Sequence, residues 1–115
     1  MGDKITIYQK PTCSKCREAL AILKESGNEF ESINYYETRL TADMLREIVR
    51  KLGIPTRSLL RSDELLAKGL ESADDEALLQ LMAENPDLIQ RPIVIRGDRA
   101  IVGRPPERIK TLLKG

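Results

Sequence analysis

Cys13-Ser14-Lys15-Cys16 stands between a short apolar run, Ile5-Thr6-Ile7-Tyr8, and a stretch of helical periodicity, and these are the only two cysteines in the chain. A cysteine at the first turn of a helix faces unpaired backbone N–H groups and the positive end of the helix dipole, both of which favour thiolate over thiol. The chemistry indicated is nucleophilic attack by sulfur at neutral pH. Zinc binding is incomplete as an explanation, because a tetrahedral site takes four ligands of the Cys or His kind and the chain has two Cys and no His. A structural disulfide belongs to an oxidising compartment. Met1-Gly2-Asp3-Lys4 instead leads straight into the first apolar run without a signal-peptide core, so a reducing cytoplasm is expected. Two buried cysteines serving as small hydrophobes do not suit a segment carrying Lys10, Lys15 and Arg17.

The absence of histidine removes Ser-His-Asp and Cys-His hydrolases, His-ligated metal catalysis and imidazole proton shuttles. What remains to activate Cys13 is the helix terminus and nearby cations. No metal and no bound cofactor is expected; the chain has no GxGxxG and no P-loop. With 32% charged residues but a net charge of +1, it makes no electrostatic case for direct binding to nucleic acid or to a membrane surface. No apolar run approaches the length of about 18 residues needed to span a bilayer.

The elements that must position the cysteines follow from periodicity. Residues 5–8 read as a strand, and residues 14–26 as a helix with Ala19, Leu20, Ile22 and Leu23 inward and Gly27 as its stop. Phe30 to Tyr35 reads as a second strand, completing a βαβ unit with parallel strands. Thr41 is the N-cap of the next helix, with Leu40 and Leu45 as a hydrophobic staple and Gly53-Ile54-Pro55 ending it. A weaker helical pattern covers 56–68. A third helix follows Ser72, with Ala77, Leu78, Leu81 and Met82 inward and Asn85-Pro86 as its close. Strand character returns at 92–95 and 100–103 around a Gly97-Asp98 turn, and Pro105-Pro106 opens a last helix. The 115 residues amount to one α/β domain with a thioredoxin-like layout. It comprises a four-stranded mixed sheet and a helical insertion, about 41–86, between the βαβ unit and the C-terminal hairpin and helix.

Ile5-Thr6-Ile7-Tyr8 before Pro11-Thr12-Cys13, Arg57-Ser58-Leu59-Leu60-Arg61, Arg91-Pro92-Ile93-Val94 and Gly103-Arg104-Pro105 occur together, in an order and spacing that resemble the glutaredoxin-dependent arsenate reductase family over nearly the whole chain. The resemblance implies Cys13 as nucleophile, Arg61, Arg91 and Arg104 as ligands of a small oxyanion, a cis Arg91–Pro92 peptide, glutathione as co-substrate and glutaredoxin as reductant. Guanidinium groups suit such an anion, having permanent charge and planar forks of donors. Arg91 and Arg104 each precede a proline at a sheet border, whereas Arg96 and Arg99 flank the hairpin turn and read as solvated. The sequence departs from the family pattern twice. Cys16 stands where the reductases usually have no thiol, so it is a candidate resolving residue that brings in thioredoxin as an alternative reductant. Gln9 stands where they often have histidine, leaving Lys10 as a compensating cation. Two further readings share the CxxC. One is an Spx-like redox regulator binding RNA polymerase, and the other a general thiol-disulfide oxidoreductase. Gly103-Arg104-Pro105-Pro106 favours the enzyme, because a binding module has no evident need for a third oxyanion ligand.

Overall fold

In the computed structural model, which describes residues 4–10, 12–61 and 73–113, the first strand is Ile5–Gln9 (β1), one residue longer than its apolar run, with buried and half-buried side chains alternating along it. β1 is hydrogen-bonded on both sides. It pairs in parallel with Phe30–Asn34 (β2) and antiparallel with Ile93–Arg96 (β3), which pairs antiparallel with Arg99–Val102 (β4). The strand order β2-β1-β3-β4 gives the mixed four-stranded sheet read from the sequence. The register sets Ile7 opposite both Ser32 and Val94, so Ile5, Ile7 and Gln9 share a face with Val94.

That face carries the core. Ser14–Ser26 (α1) buries Cys16, Ala19 and Leu23 at i, i+3 and i+7. Ala19 and Leu23 pack with Ile5, Ile7, Val94, Ile109 and Leu112 in one apolar cluster, where each fully buried aliphatic side chain is worth about 1.5–3 kcal/mol relative to exposure. Gly27 ends α1 at φ 78°, a left-handed conformation that a residue with a Cβ resists. The final helix, Ile109–Leu113, follows a short 3₁₀ turn at Pro106–Arg108.

Two compact units are distinguishable: Met1–Thr38 with Arg91–Gly115, and Arg39–Gln90. The expected helical insertion falls inside the second. There Ala42–Leu52 (α2) starts where Thr41 Oγ1 accepts the Met44 N–H at 3.2 Å, with Leu40 and Leu45 both buried as a staple requires. The helix expected after Ser72 is Asp75–Glu84 (α3). Ser72 lies outside the described residues, and the cap is Asp74, whose side chain accepts the Ala77 N–H at 2.8 Å. Its inward face is rotated from the sequence reading. Leu79 is buried with Leu78 and Met82, whereas Leu81 is half-buried and Ala77 exposed.

The helical reading of 56–68 holds only as a single 3₁₀ turn, Thr56–Leu59; residues 62–68 lie outside the described residues. Leu60 instead forms an antiparallel bridge with Ile89. Around it the Arg61 N–H reaches the Leu88 carbonyl at 2.7 Å and the Gln90 N–H reaches the Leu59 carbonyl at 2.9 Å. Tertiary pairing has taken the backbone groups that a continuing helix would have used. No helix among the described residues is long and apolar enough to cross a membrane.

The arginines of the hairpin are also more than solvated. We label Ile109–Leu113 α4; Arg96 Nη1 donates to the carbonyls of Leu112 and Leu113 at 3.2 and 3.0 Å, and Arg99 Nη2 to Leu112 at 3.5 Å. They cap the negative end of α4, where the last turn of a helix leaves carbonyls unpaired. Arg96→Ala should therefore lower stability by about 1 kcal/mol, seen as a reduced Tm in thermal unfolding.

Candidate functional site

Cys13 is the N-cap of α1, with extended backbone angles of φ −86° and ψ 124°. Its carbonyl accepts the first intrahelical hydrogen bond, from the Arg17 N–H at 3.1 Å, and its own N–H donates to the Lys10 carbonyl at 3.0 Å. The Lys10 N–H donates in turn to Cys16 Sγ at 3.4 Å. One residue's backbone thus holds both cysteines. Cys16 is fully buried and Cys13 is half-buried.

This placement separates the two thiols electrostatically. Burial opposes ionisation of Cys13, but the Cys16 N–H, the Cys16 thiol, the Lys15 N–H and the Arg91 guanidinium outweigh it and draw the pKa from 9.0 down to about 7. For Cys16, burial dominates. The Lys10 N–H pulls the other way, the neighbouring Cys13 adds to the burial effect, and the pKa is pushed up to about 12. Of the pair, Cys13 is the thiol whose surroundings favour the thiolate.

Arg91 is 8% exposed, unusually buried for an arginine, and its Nε and Nη1 are buried with no hydrogen-bond partner among the described residues. Burial opposes its charge, but Tyr35, Tyr36 and Cys13 around it outweigh this and raise its pKa. Arg91 immediately precedes β3 through a cis bond to Pro92, and a second cis bond joins Arg104 to Pro105. The two turns are fastened together. The Gly103 N–H donates to the Pro92 carbonyl at 2.8 Å, and Arg104 Nε donates to the Arg91 carbonyl at 2.7 Å. Gly103 suits this approach, since a Cβ there would stand 3.1 Å from both Pro92 Cγ and Ile109 Cδ1 and those side chains would have to give by a few tenths of an ångström.

Cys13, Cys16, Arg91 and Arg104 therefore belong to one set of interlocked contacts in the first unit. Arg61 belongs to the second unit, half-buried at the end of the Leu60–Ile89 bridge. Gln9, at the end of β1, is 7% exposed and donates from Nε2 to Ser32 Oγ at 3.0 Å. The Lys10 ammonium lies 4.8 Å from the centroid of the Tyr36 ring, while its backbone engages both cysteines. Among the described residues no group of three or more His, Cys, Asp or Glu is arranged to hold a metal ion.

Sequence reasoning missed Tyr35 and Tyr36. They sit in the turn after β2, shaped by Asn34, whose carbonyl accepts the N–H groups of Glu37 and Thr38 and whose Oδ1 accepts the Tyr36 N–H at 3.0 Å. Tyr35 is buried and its ring lies 5.0 Å from that of Tyr36. A signal was present. Two of the three tyrosines follow the carboxyl end of a parallel strand, the edge at which α/β sheets bind ligands.

A thioredoxin-like sheet with an activated thiol at the start of its first helix, and a buried arginine against that thiol, defines a thiol-chemistry module. Residues 8–112 match the ArsC family. The chain is 45% identical over 114 residues to the uncharacterized protein YfgD of Escherichia coli K12, covering 95% of this chain and 96% of that one. It is 39% identical over 115 residues to an arsenate reductase of Neisseria meningitidis, covering 96% and 98%. A solved structure of an arsenate reductase from Vibrio cholerae matches with a TM-score of 0.90 at 38% identity, covering 96% of this chain and 98% of that one. The chain belongs to the ArsC family.

Because its pKa is lowered to about 7, Cys13 should be about half ionised at pH 7, and its alkylation by iodoacetamide should rise through that pH and level off above it. Peptide mapping should find Cys13 labelled first. Prior labelling of Cys16 would reverse the roles.

Proposed function

We propose that this protein reduces arsenate to arsenite through a covalent adduct on Cys13, which glutathione resolves and glutaredoxin then clears, in the cytoplasm. The observation that carries this reading is Arg91: a buried guanidinium beside the thiol, with two nitrogens, Nε and Nη1, that lack a hydrogen-bond partner among the described residues. Burying such a group without an acceptor is costly, and an oxyanion supplies both the acceptors and the counter-charge. The names of the relatives support arsenate as that oxyanion.

In the proposed reaction the Cys13 thiolate attacks arsenic, an S–As bond forms, and one As–O bond breaks, the oxygen leaving as water after taking up protons. Arg91 and Arg104 hold the remaining oxygens, and the resemblance adds Arg61. Glutathione thiolate next attacks Cys13 Sγ. An S–S bond forms and the S–As electron pair passes to arsenic, taking it from As(V) to As(III). The two thiols have each given one electron. Glutaredoxin reduces the mixed disulfide and restores Cys13.

The test is arsenate-dependent NADPH oxidation, once with glutathione and glutaredoxin and once with thioredoxin and its reductase. Turnover in the first system is expected, and absence of turnover in both would overturn arsenate as substrate. Alanine at Arg61, Arg91 or Arg104 should lower kcat/KM by about 10²-fold or more, and Arg104→Ala should also lower Tm through loss of its bond to the Arg91 carbonyl. Arg96→Ala should lower Tm and leave kcat/KM nearly unchanged. Mass spectrometry after one turnover should find glutathione on Cys13; a Cys13–Cys16 disulfide formed without glutathione would make Cys16 the resolving thiol.

A further inference from the structure

Arg91 and Pro92 stand just outside the sheet. The pairing of β3 with β1 and with β4 begins at Ile93, so the ladder holds neither residue, and Pro92 has no N–H to offer a partner. Their carbonyls are held instead by two consecutive residues after β4: Pro92 by the Gly103 N–H at 2.8 Å, and Arg91 by Arg104 Nε at 2.7 Å. The first is a bond between backbones. The second depends on the Arg104 side chain alone, and it grips the backbone of the very residue whose buried guanidinium keeps Nε and Nη1 without a partner among the described residues. Arg104 itself is exposed, so solvent screens its charge, whereas misplacing a group at a reacting centre by about 1 Å can cost about 10²-fold in rate.

We infer that Arg104 is the positioning residue for Arg91: its Nε, by holding the Arg91 carbonyl, fixes the aim of the Arg91 guanidinium, and this outweighs what the outer nitrogens of Arg104 give to an anion directly. The inference deepens the reading of an oxyanion bound beside Cys13 and rests on it for the identity of that anion. Side-chain chemistry separates the two roles. Counted in bonds from Cα, glutamine Nε2 falls where arginine has Nε, so Arg104→Gln keeps a donor for the Arg91 carbonyl while removing the charge and the outer nitrogens. Arg104→Lys keeps the charge but puts a methylene at that point, with the ammonium one bond further out and no second donor group to divide between carbonyl and anion.

The wild type, Arg104→Gln, Arg104→Lys and Arg104→Ala are compared in two ways. One is arsenate kcat/KM with glutathione and glutaredoxin. Arg104→Ala should lose about 10²-fold, Arg104→Gln should stay within about tenfold of the wild type, and Arg104→Lys should fall below Arg104→Gln. In an Arg91→Ala background the further change Arg104→Ala should cost less than about threefold, because no guanidinium remains to be aimed. The other comparison needs no substrate: heteronuclear NMR of the Arg91 Nε–H, which burial shields from solvent and which is assigned by its absence in Arg91→Ala. That group should be as rigid in Arg104→Gln as in the wild type, and mobile in Arg104→Ala. Higher activity in Arg104→Lys than in Arg104→Gln, or an Arg91 signal that Arg104→Ala leaves unchanged, would overturn the inference. Should the backbone amide spectrum of Arg104→Ala show loss of fold, the order of the glutamine and lysine variants decides. Absence of arsenate turnover in the wild type would overturn the substrate, and the Arg91 signal would still decide whether Arg104 positions it.

Discussion

A thiolate at the start of α1 is an anion in half-buried surroundings, in a chain with no histidine to neutralise it. Every nearby feature answers that constraint. Helix starts leave N–H groups unpaired, and with Cys13 at the N-cap those of Lys15 and Cys16 help to lower its pKa, although its side chain forms no capping hydrogen bond. Their aim depends on the loop before them, which is fixed where the Lys10 carbonyl receives the Cys13 N–H and the Lys10 N–H reaches Cys16 Sγ. Lys10 in turn follows Gln9, whose buried side chain ties the end of β1 to Ser32 on β2. The central strand, flanked by partners on both sides, transmits its rigidity to the thiol through two residues.

Arg91 and Arg104 are placed unequally. Arg91 is buried, and its charge faces the cysteine and the tyrosines. Arg104 is exposed and spends its Nε on the Arg91 carbonyl. That bond, with the Gly103–Pro92 bond beside it, is a backbone device: it sets the turn before β3 against the turn after β4, so that the position of one arginine is determined by the other. A lysine at 104 has no planar fork with which to hold a carbonyl and still present further donors.

The sheet, α1, the Thr41 cap and the hairpin were legible because each is announced locally, by apolar periodicity, a capping residue or a glycine. The cysteine pair was legible for the same reason, since a helix start implies its own electrostatics. What escaped depends on contacts distant in sequence. Leu60 looks helical until Ile89 pairs with it; Arg96 looks solvated until the end of α4 arrives beneath it. Tyr35 looks like the last residue of a strand and becomes part of the site only because the turn after β2 brings it against Arg91. The backbone of Lys10 engages both cysteines, and no residue type advertises that.

The resting site is close to charge-balanced, with one thiolate facing one buried guanidinium, and this matters for a reaction that moves charge. When sulfur attacks an oxyanion, the negative charge leaves the sulfur and accumulates on the oxygens, so a counter-ion bound tightly to the thiolate would have to reorient. Arg91 keeps Nε and Nη1 in reserve, buried and with no partner among the described residues. Donors already in place where charge develops stabilise a transition state without reorganisation at the moment of reaction. The N–H groups of the helix start act in the other sense. They favour the thiolate, and that effect weakens as its charge is lost, which limits how far its pKa can fall before nucleophilicity suffers. A pKa of about 7 leaves the thiol substantially ionised at neutral pH while keeping it a strong nucleophile.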